Sequence, residues 1–176
     1  MDETKPYKRR SIRLPDYDYS TSGAYFVTIC SHKGQCIFGN VVDGATDLSP
    51  LGKLVENFWL AIPEHFPQAY LDDYVIMPNH IHGIIVLEES SYAGAESFGR
   101  PTKGSLATVL RSFKAAVTKE IKGQMRTNDV WQRGYYEHVI RNDRAMLEIK
   151  EYILTNALKW ELDDMHPTKI NERVRM

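Results

Sequence analysis

Two histidines one residue apart, His80 and His82, stand in the run Met77-Pro78-Asn79-His80-Ile81-His82-Gly83. In an extended chain alternate side chains share a face, so both imidazoles point one way and Ile81 the other. Two imidazoles so placed can hold one divalent cation, given an oxygen ligand and water or phosphate to complete the shell. Histidine suits Zn, Mn, Fe or Cu, and mixed histidine and oxygen sites accept Mn or Mg when phosphate also ligates. Gly83, with no side chain, is expected to leave open access beside them. The same pair also reads as two ordinary sheet histidines, one packed and one solvated.

A second pair, Tyr152 and Asn156, lies at i and i+4 in a segment of helical period, one turn apart on one face. The apolar stripe of that segment is Met146, Ile149, Ile153, Ala157 and Trp160, and the pair borders it. A phenol oxygen can act as a covalent nucleophile once positioned and activated. An asparagine carbonyl oxygen is an acceptable ligand for a hard cation. The alternative is a rim tyrosine with its hydroxyl in water and an asparagine making local hydrogen bonds. The chain has ten tyrosines, so spacing alone does not single out Tyr152. His138, which shares a strand face with Tyr136, is a candidate proton acceptor or a plain edge histidine. His32, His65 and His166 read as surface residues.

The elements that must carry these groups follow from periodicity. Ala24–Cys30 is a β-branched and aromatic strand, and Cys36–Phe38 extends or partners it. Ser49-Pro50 opens a helix whose apolar positions run from Leu51 to Ile62, with Pro63 and Pro67 ending it. Leu71–Met77 and Ile81–Leu87 form a hairpin, its turn at Pro78-Asn79 beside the histidines. Glu88–Gly104 is a polar loop. Ser105 or the residues just before it cap a second helix, striped by Leu106, Val109, Leu110, Phe113, Ala116, Val117 and Ile121, which Gly123 stops. Val130–Ile140 is a fourth strand, and Asn142 or Asp143 caps a third helix running to about Trp160. The order β-α-β-β-α-β-α is α+β. Its first six elements form a ferredoxin-like split βαβ sandwich: an antiparallel four-stranded sheet with helices on one face, plus a C-terminal helix. Residues 1–22 read as a basic arm, 23–163 as one domain, and 164–176 as a frayed tail.

Composition bounds the partners. With 22 basic and 23 acidic residues the net charge is −1, whereas strong nucleic-acid binders are often basic overall. The charge is segregated, however. Lys5, Lys8, Arg9, Arg10 and Arg13 crowd the N-terminus, and acidic residues gather in Glu88–Glu96 and Glu161–Asp164. Arg111, Lys114, Lys119 and Lys122 ride the second helix, with Arg133 and Arg141 near the last strand. Each set reads either as a solvated surface or as phosphate contacts. Tyr17, Tyr19, Tyr135 and Trp131 are candidates to stack on unpaired bases, Trp131 fitting a core as well. Two cysteines, Cys30 and Cys36, make no disulfide framework. No apolar run is long enough for a membrane span, and the N-terminus has no secretory apolar core, so the expected location is cytoplasmic with no membrane partner.

Taken together, RLPDYDYSTSGAYFVTIC, CIFG, YVIMPNHIHGIIVL, SFKAAVTKEI, VWQRGYYEHVIRN and KEYILTN resemble the REP-associated tyrosine transposases, relatives of the single-tyrosine HUH transposases of insertion sequences. The resemblance spans about residues 13–160. It implies that His80 and His82 bind a divalent metal, Mg or Mn, that Asn156 is its third ligand, and that Tyr152 is the nucleophile. It implies a nicking and joining enzyme for single-stranded DNA with a hairpin. Such an enzyme passes through a 5′-phosphotyrosine link and needs no nucleotide cofactor. Arg9, Arg10, Arg13, Arg111, Lys114, Lys122, Arg133 and Arg141 are then the expected DNA contacts. The chain would be a monomer, or a homodimer exchanging its tyrosine helix. A non-catalytic DNA-binding module keeping the transposase fold is the alternative. One departure stands out: the family usually has Asn-Pro where this chain has Asn156-Ala157, and alanine lets the helix continue.

Overall fold

The computed structural model describes residues 22–89, 104–122 and 130–169. Arg9, Arg10 and Arg13, with Tyr17 and Tyr19, lie outside the described residues, as does Gly123. Among the described residues six strands and four α-helices follow one another as β1 (Gly23–Cys30), β2 (Gly39–Val42), β3 (Ala45–Leu48), α1 (Pro50–Leu60), α2 (Ile62–His65), β4 (Ala69–Ile76), β5 (His80–Leu87), α3 (Leu106–Ile121), β6 (Tyr136–Ile140) and α4 (Asp143–Thr155). The main sheet has the order β4-β5-β1-β6, antiparallel throughout. That is the split βαβ arrangement expected from the pattern.

Side-chain alternation sorts the sheet into two faces. Tyr25, Val27, Ile29, Ile81 and Ile85 join Val55 and Trp59 of α1 and Leu110, Phe113 and Val117 of α3 in the larger core. On the other face Ile84 and Ile140 meet Ile153 of α4, flanked by Phe26, Val75, Met146 and Ile149. The second face is therefore covered by the helix that carries Tyr152. Helix starts follow local chemistry. Ser49 Oγ accepts from the Gly52 amide at 3.0 Å with Pro50 in the first turn, Ser105 Oγ accepts from the Thr108 amide, and Asn142 Oδ1 accepts from the Ala145 amide at 2.9 Å.

Four expectations are corrected. Cys36–Phe38 is not a strand; a separate hairpin of β2 and β3 follows it, closed by Asp43-Gly44 with φ of 51° and 75°. Asp-Gly at positive φ is the type I′ turn that matches strand twist. The fourth strand starts at Tyr136, not Val130: Gly134 turns the chain at φ 81°, and the Lys114 ammonium donates to the Gln132 and Gly134 carbonyls at 2.7 and 2.8 Å. The third helical segment stops being α-helical at Thr155 even without proline, and continues as a 3₁₀ turn from Ala157 to Leu162. Of the expected tail, the described part is tied in at Met165, whose carbonyl accepts from Asn79 Nδ2 at 2.8 Å. Among the described residues no helix is long and apolar enough to cross a membrane.

Gly83 also plays a different part from the one its place beside the histidines implies. Its missing side chain faces the larger core, where a Cβ would come within 2.4 Å of Trp59 Cζ2. The indole lies on the bare backbone; glycine is there for packing. Gly83→Ala is expected to cost about 1–3 kcal/mol through overpacking. Chemical denaturation would read this as a lowered midpoint with an unchanged slope.

Candidate active site

The sheet register sets the site. His82 lies opposite Thr28 and His80 opposite Cys30, so both imidazoles rise from the face that α4 covers. Their rings lie 4.4 Å apart, centroid to centroid. Both are buried, at 0% and 4% exposure, which removes the reading in which one is solvated.

The hydrogen bonds fix how His80 presents itself. Asn79 Nδ2 donates to the carbonyls of Gly34 and Met165 at 3.1 and 2.8 Å, so the amide cannot be reversed. Its Oδ1 therefore accepts, at 2.8 Å, from Nδ1–H of His80. The proton on Nδ1 leaves Nε2 with a bare lone pair, and that atom is buried without a partner. His82 is held similarly: its Nδ1 meets Thr28 Oγ1 at 2.8 Å, and its Nε2 meets the Tyr152 hydroxyl at 3.1 Å. Outer partners on the far ring nitrogen are how metal-binding histidines are oriented.

The oxygen donors come from the end of α4 and the turn beyond it. Asn156 is 2% exposed. Its Nδ2 donates to Asp163 Oδ2 at 3.2 Å, and because a carboxylate only accepts, the amide has one sensible orientation. That leaves Asn156 Oδ1 buried and unpartnered. Asp163, which sequence reasoning passed over as part of an acidic run, has a carboxylate oxygen within 4.8 Å of a ring nitrogen of each histidine. Two imidazoles and a carboxylate grouped within 4.8 Å, with His80 Nε2 and Asn156 Oδ1 both buried and unpartnered, are what a divalent cation would satisfy. The donor set, two imidazoles with an amide and a carboxylate oxygen, fits such an ion.

Burial dominates the titration. It pushes His80 down to about 4, against a smaller opposing pull from Asp163, and it lowers His82 well below the ordinary histidine range, aided by His80. Tyr152 goes the other way: burial first, then the charge of Asp163, raise its hydroxyl above the usual value. For the metal-free protein this has a signed consequence. Between about pH 4 and 6.5 the unfolded chain takes up a proton at His80 that the folded chain refuses. The stability from this group is complete above about 6.5 and falls as the pH drops through that window. A loss of about 2 kcal/mol at pH 5, or roughly 4–8 °C in melting temperature, is expected relative to pH 7.5. A flat melting temperature across that range in chelator would contradict it.

The other sequence candidates distribute unevenly. His138 is exposed on β6 opposite Phe26, and the nitrogen that meets the phenol is His82 Nε2. Arg111, Lys122, Arg133 and Arg141 are exposed. Lys114 is bonded to loop carbonyls and lowered by burial, which makes it the least available cation of the set. Lys119, Lys122 and Arg133 line an open groove of about 630 Å³ between α3 and the loop before β6. Trp131 also borders it, its ring packed on Phe38 and Phe113 at 5.3 and 5.6 Å. Cys30 is buried, its thiol pushed up to about 11 by that burial, and Cys36 is exposed; both are free.

No protein-family model matches the chain. It is 40% identical over 169 residues to an uncharacterized protein of Haemophilus influenzae, covering 91% of this chain and 94% of that protein. Among solved structures it is similar to the REP-associated tyrosine transposase bound to a REP hairpin, with a TM-score of 0.56 and 19% identity, over 84% of this chain and 73% of that one.

Proposed function

We propose, for a chain that belongs to one family with the Haemophilus influenzae protein and has the fold of the REP-associated tyrosine transposase, that it is a metal-dependent enzyme that nicks and joins single-stranded DNA in the cytoplasm. The observation that carries this reading is the 3.1 Å contact between the Tyr152 hydroxyl and His82 Nε2, beside an unpartnered His80 Nε2 and Asn156 Oδ1. His80, His82, Asn156 and Asp163 would hold Mg or Mn. Such an ion, when bound, supplies positive charge to polarise a non-bridging phosphate oxygen.

The chain's own residues do the rest. Phe26 stacks on His82 at 5.2 Å and meets Tyr152 edge-on at 6.0 Å, so the phenol is held by ring packing as well as by its hydroxyl. Tyr152 oxygen attacks phosphorus and forms a phosphotyrosine bond to the 5′ side, while the bond to the 3′ oxygen breaks. The phenol proton leaves to water, and the departing 3′ oxygen takes one up, so charge and protons balance. A 3′-hydroxyl reverses the step and joins strands without a nucleotide cofactor. Arg111, Lys122, Arg133 and Arg141 with Lys119, and the arm with Arg9, Arg10 and Arg13, would neutralise phosphates, Lys114 contributing least. Binding should therefore weaken steeply with salt. The similar solved protein is bound to a hairpin, which supports hairpin-bearing DNA as the substrate here.

The test is incubation with Mn²⁺ or Mg²⁺ and a single-stranded hairpin oligonucleotide, followed by mass spectrometry. A DNA adduct on Tyr152 is expected. Salt-sensitive DNA binding with no adduct under any divalent ion would leave the non-catalytic binding module instead.

A further inference from the structure

One cationic side chain takes no part in the chemistry above, yet it is bound more closely than any surface lysine needs to be. Lys150 Nζ lies 2.6 Å from Asp72 Oδ1 and 3.8 Å from Asp73 Oδ2, each of the first two side chains being 31% exposed. Consecutive residues on a regular strand point to opposite faces. Here two neighbouring aspartates reach one ammonium because β4 slips its register against β5 between Leu71 and Tyr74, where these two residues sit. Irregularities of this kind re-aim side chains and concentrate beside active sites. The Asp73 amide also donates to Asp72 Oδ1 at 2.8 Å, which steadies the carboxylate.

We infer that Lys150 is a positioning residue for Tyr152, acting through the rotation of α4; this rests on the reading of Tyr152 as the nucleophile. Lys150 and Tyr152 are two residues apart, so they leave the helix roughly 200° apart, on opposite flanks of the Ile149–Ile153 stripe. A bond that pins one flank fixes where the other points. The other holds on this helix are the Ile149–Ile153 stripe and the phenol's own contacts with Phe26 and His82. Ile153 is the one fully buried residue within α4, and Tyr152 itself is 43% exposed. A turn of roughly 10° about the helix axis moves an atom about 5–6 Å from that axis by roughly 1 Å. A misplacement of about 1 Å at a reacting group can cost on the order of 10²-fold in rate.

Full-length protein with Lys150→Met, Lys150→Arg, or Asp72→Asn with Asp73→Asn tests this with two readouts. In metal-free protein the cross-peak between the Tyr152 and Phe26 rings should weaken several-fold in the Met and double-Asn variants and persist in the Arg variant. The cross-peak between Trp59 and Phe113 in the far core should stay, as a check of folding. In the DNA assay the same two variants should form adduct about tenfold more slowly at saturating hairpin, with affinity within about twofold of wild type. Undiminished ring contact, or unchanged rates in a wild type that does form adduct, overturns the inference. A wild type that forms no adduct defeats the DNA-cutting reading, and the ring cross-peaks still decide the role of Lys150.

Discussion

Tyr152→Phe is expected to abolish covalent capture of DNA, by at least about 10³-fold, while leaving the protein folded and able to bind the same hairpin. The substitution removes one oxygen. That oxygen's hydrogen bond goes to His82 Nε2 at 3.1 Å, whereas the ring keeps its contacts with His82 at 5.1 Å and with Phe26 at 6.0 Å. Tyr152 is 43% exposed, so the stability change should stay within about 1 kcal/mol. Freed of the phenol, His82 Nε2 has no protein partner to give up when an ion arrives, so divalent-ion affinity should hold or rise. The combination of full binding, full metal affinity and no adduct separates a nucleophile from a structural rim tyrosine. A phenylalanine variant that still nicks the hairpin would sink the assignment.

The parts of this site that the sequence made legible are those set by a short period. His80 and His82 face together because strand side chains alternate, and Tyr152 and Asn156 because a helix turns every 3.6 residues. Both relations are local. What could not be read is what depends on two elements at once. Gly83 looked like an opening for a ligand because its neighbours are the histidines, but alternation puts it on the Trp59 side of the sheet. The same rule that paired His80 with His82 excludes Gly83 from their face, so this was legible and missed. The Asp43-Gly44 turn was legible too, as a hairpin dipeptide between short β-prone runs. Lys150 and Asp72 are 78 residues apart, and nothing but the β4 irregularity brings them together.

Asp163 is the residue that sequence spacing could not deliver, and it carries the second large expected effect. The α-helix ends at Thr155, and the 3₁₀ turn from Ala157 to Leu162 has a different rise and period, so counting helical turns from Tyr152 misplaces everything beyond Asn156. The tighter turn brings the carboxylate back to the Asn156 amide and to within 4.8 Å of the histidine nitrogens. Asp163→Asn keeps the size of the side chain and an acceptor for the Met165 amide, which Asp163 Oδ1 now binds at 2.6 Å, but it puts an NH2 where Oδ2 accepts from Asn156 Nδ2 at 3.2 Å. It removes the negative charge. Outer-shell changes at metal sites typically cost roughly 10–100-fold in affinity, and a carboxylate that joins the ligand set should cost at least that much. Titration of Mn²⁺ by calorimetry is expected to show this loss. Without metal the variant should melt a few degrees below wild type, from the loss of that one hydrogen bond, about 1 kcal/mol. Removing the charge also removes one of the causes that raise Tyr152, so its hydroxyl should ionise at lower pH in the metal-free variant than in wild type. Weaker metal binding together with a more acidic phenol is a pairing that neither a surface carboxylate nor a merely structural one would give. Unchanged Mn²⁺ affinity in Asp163→Asn would leave His80, His82 and Asn156 as the whole protein ligand set.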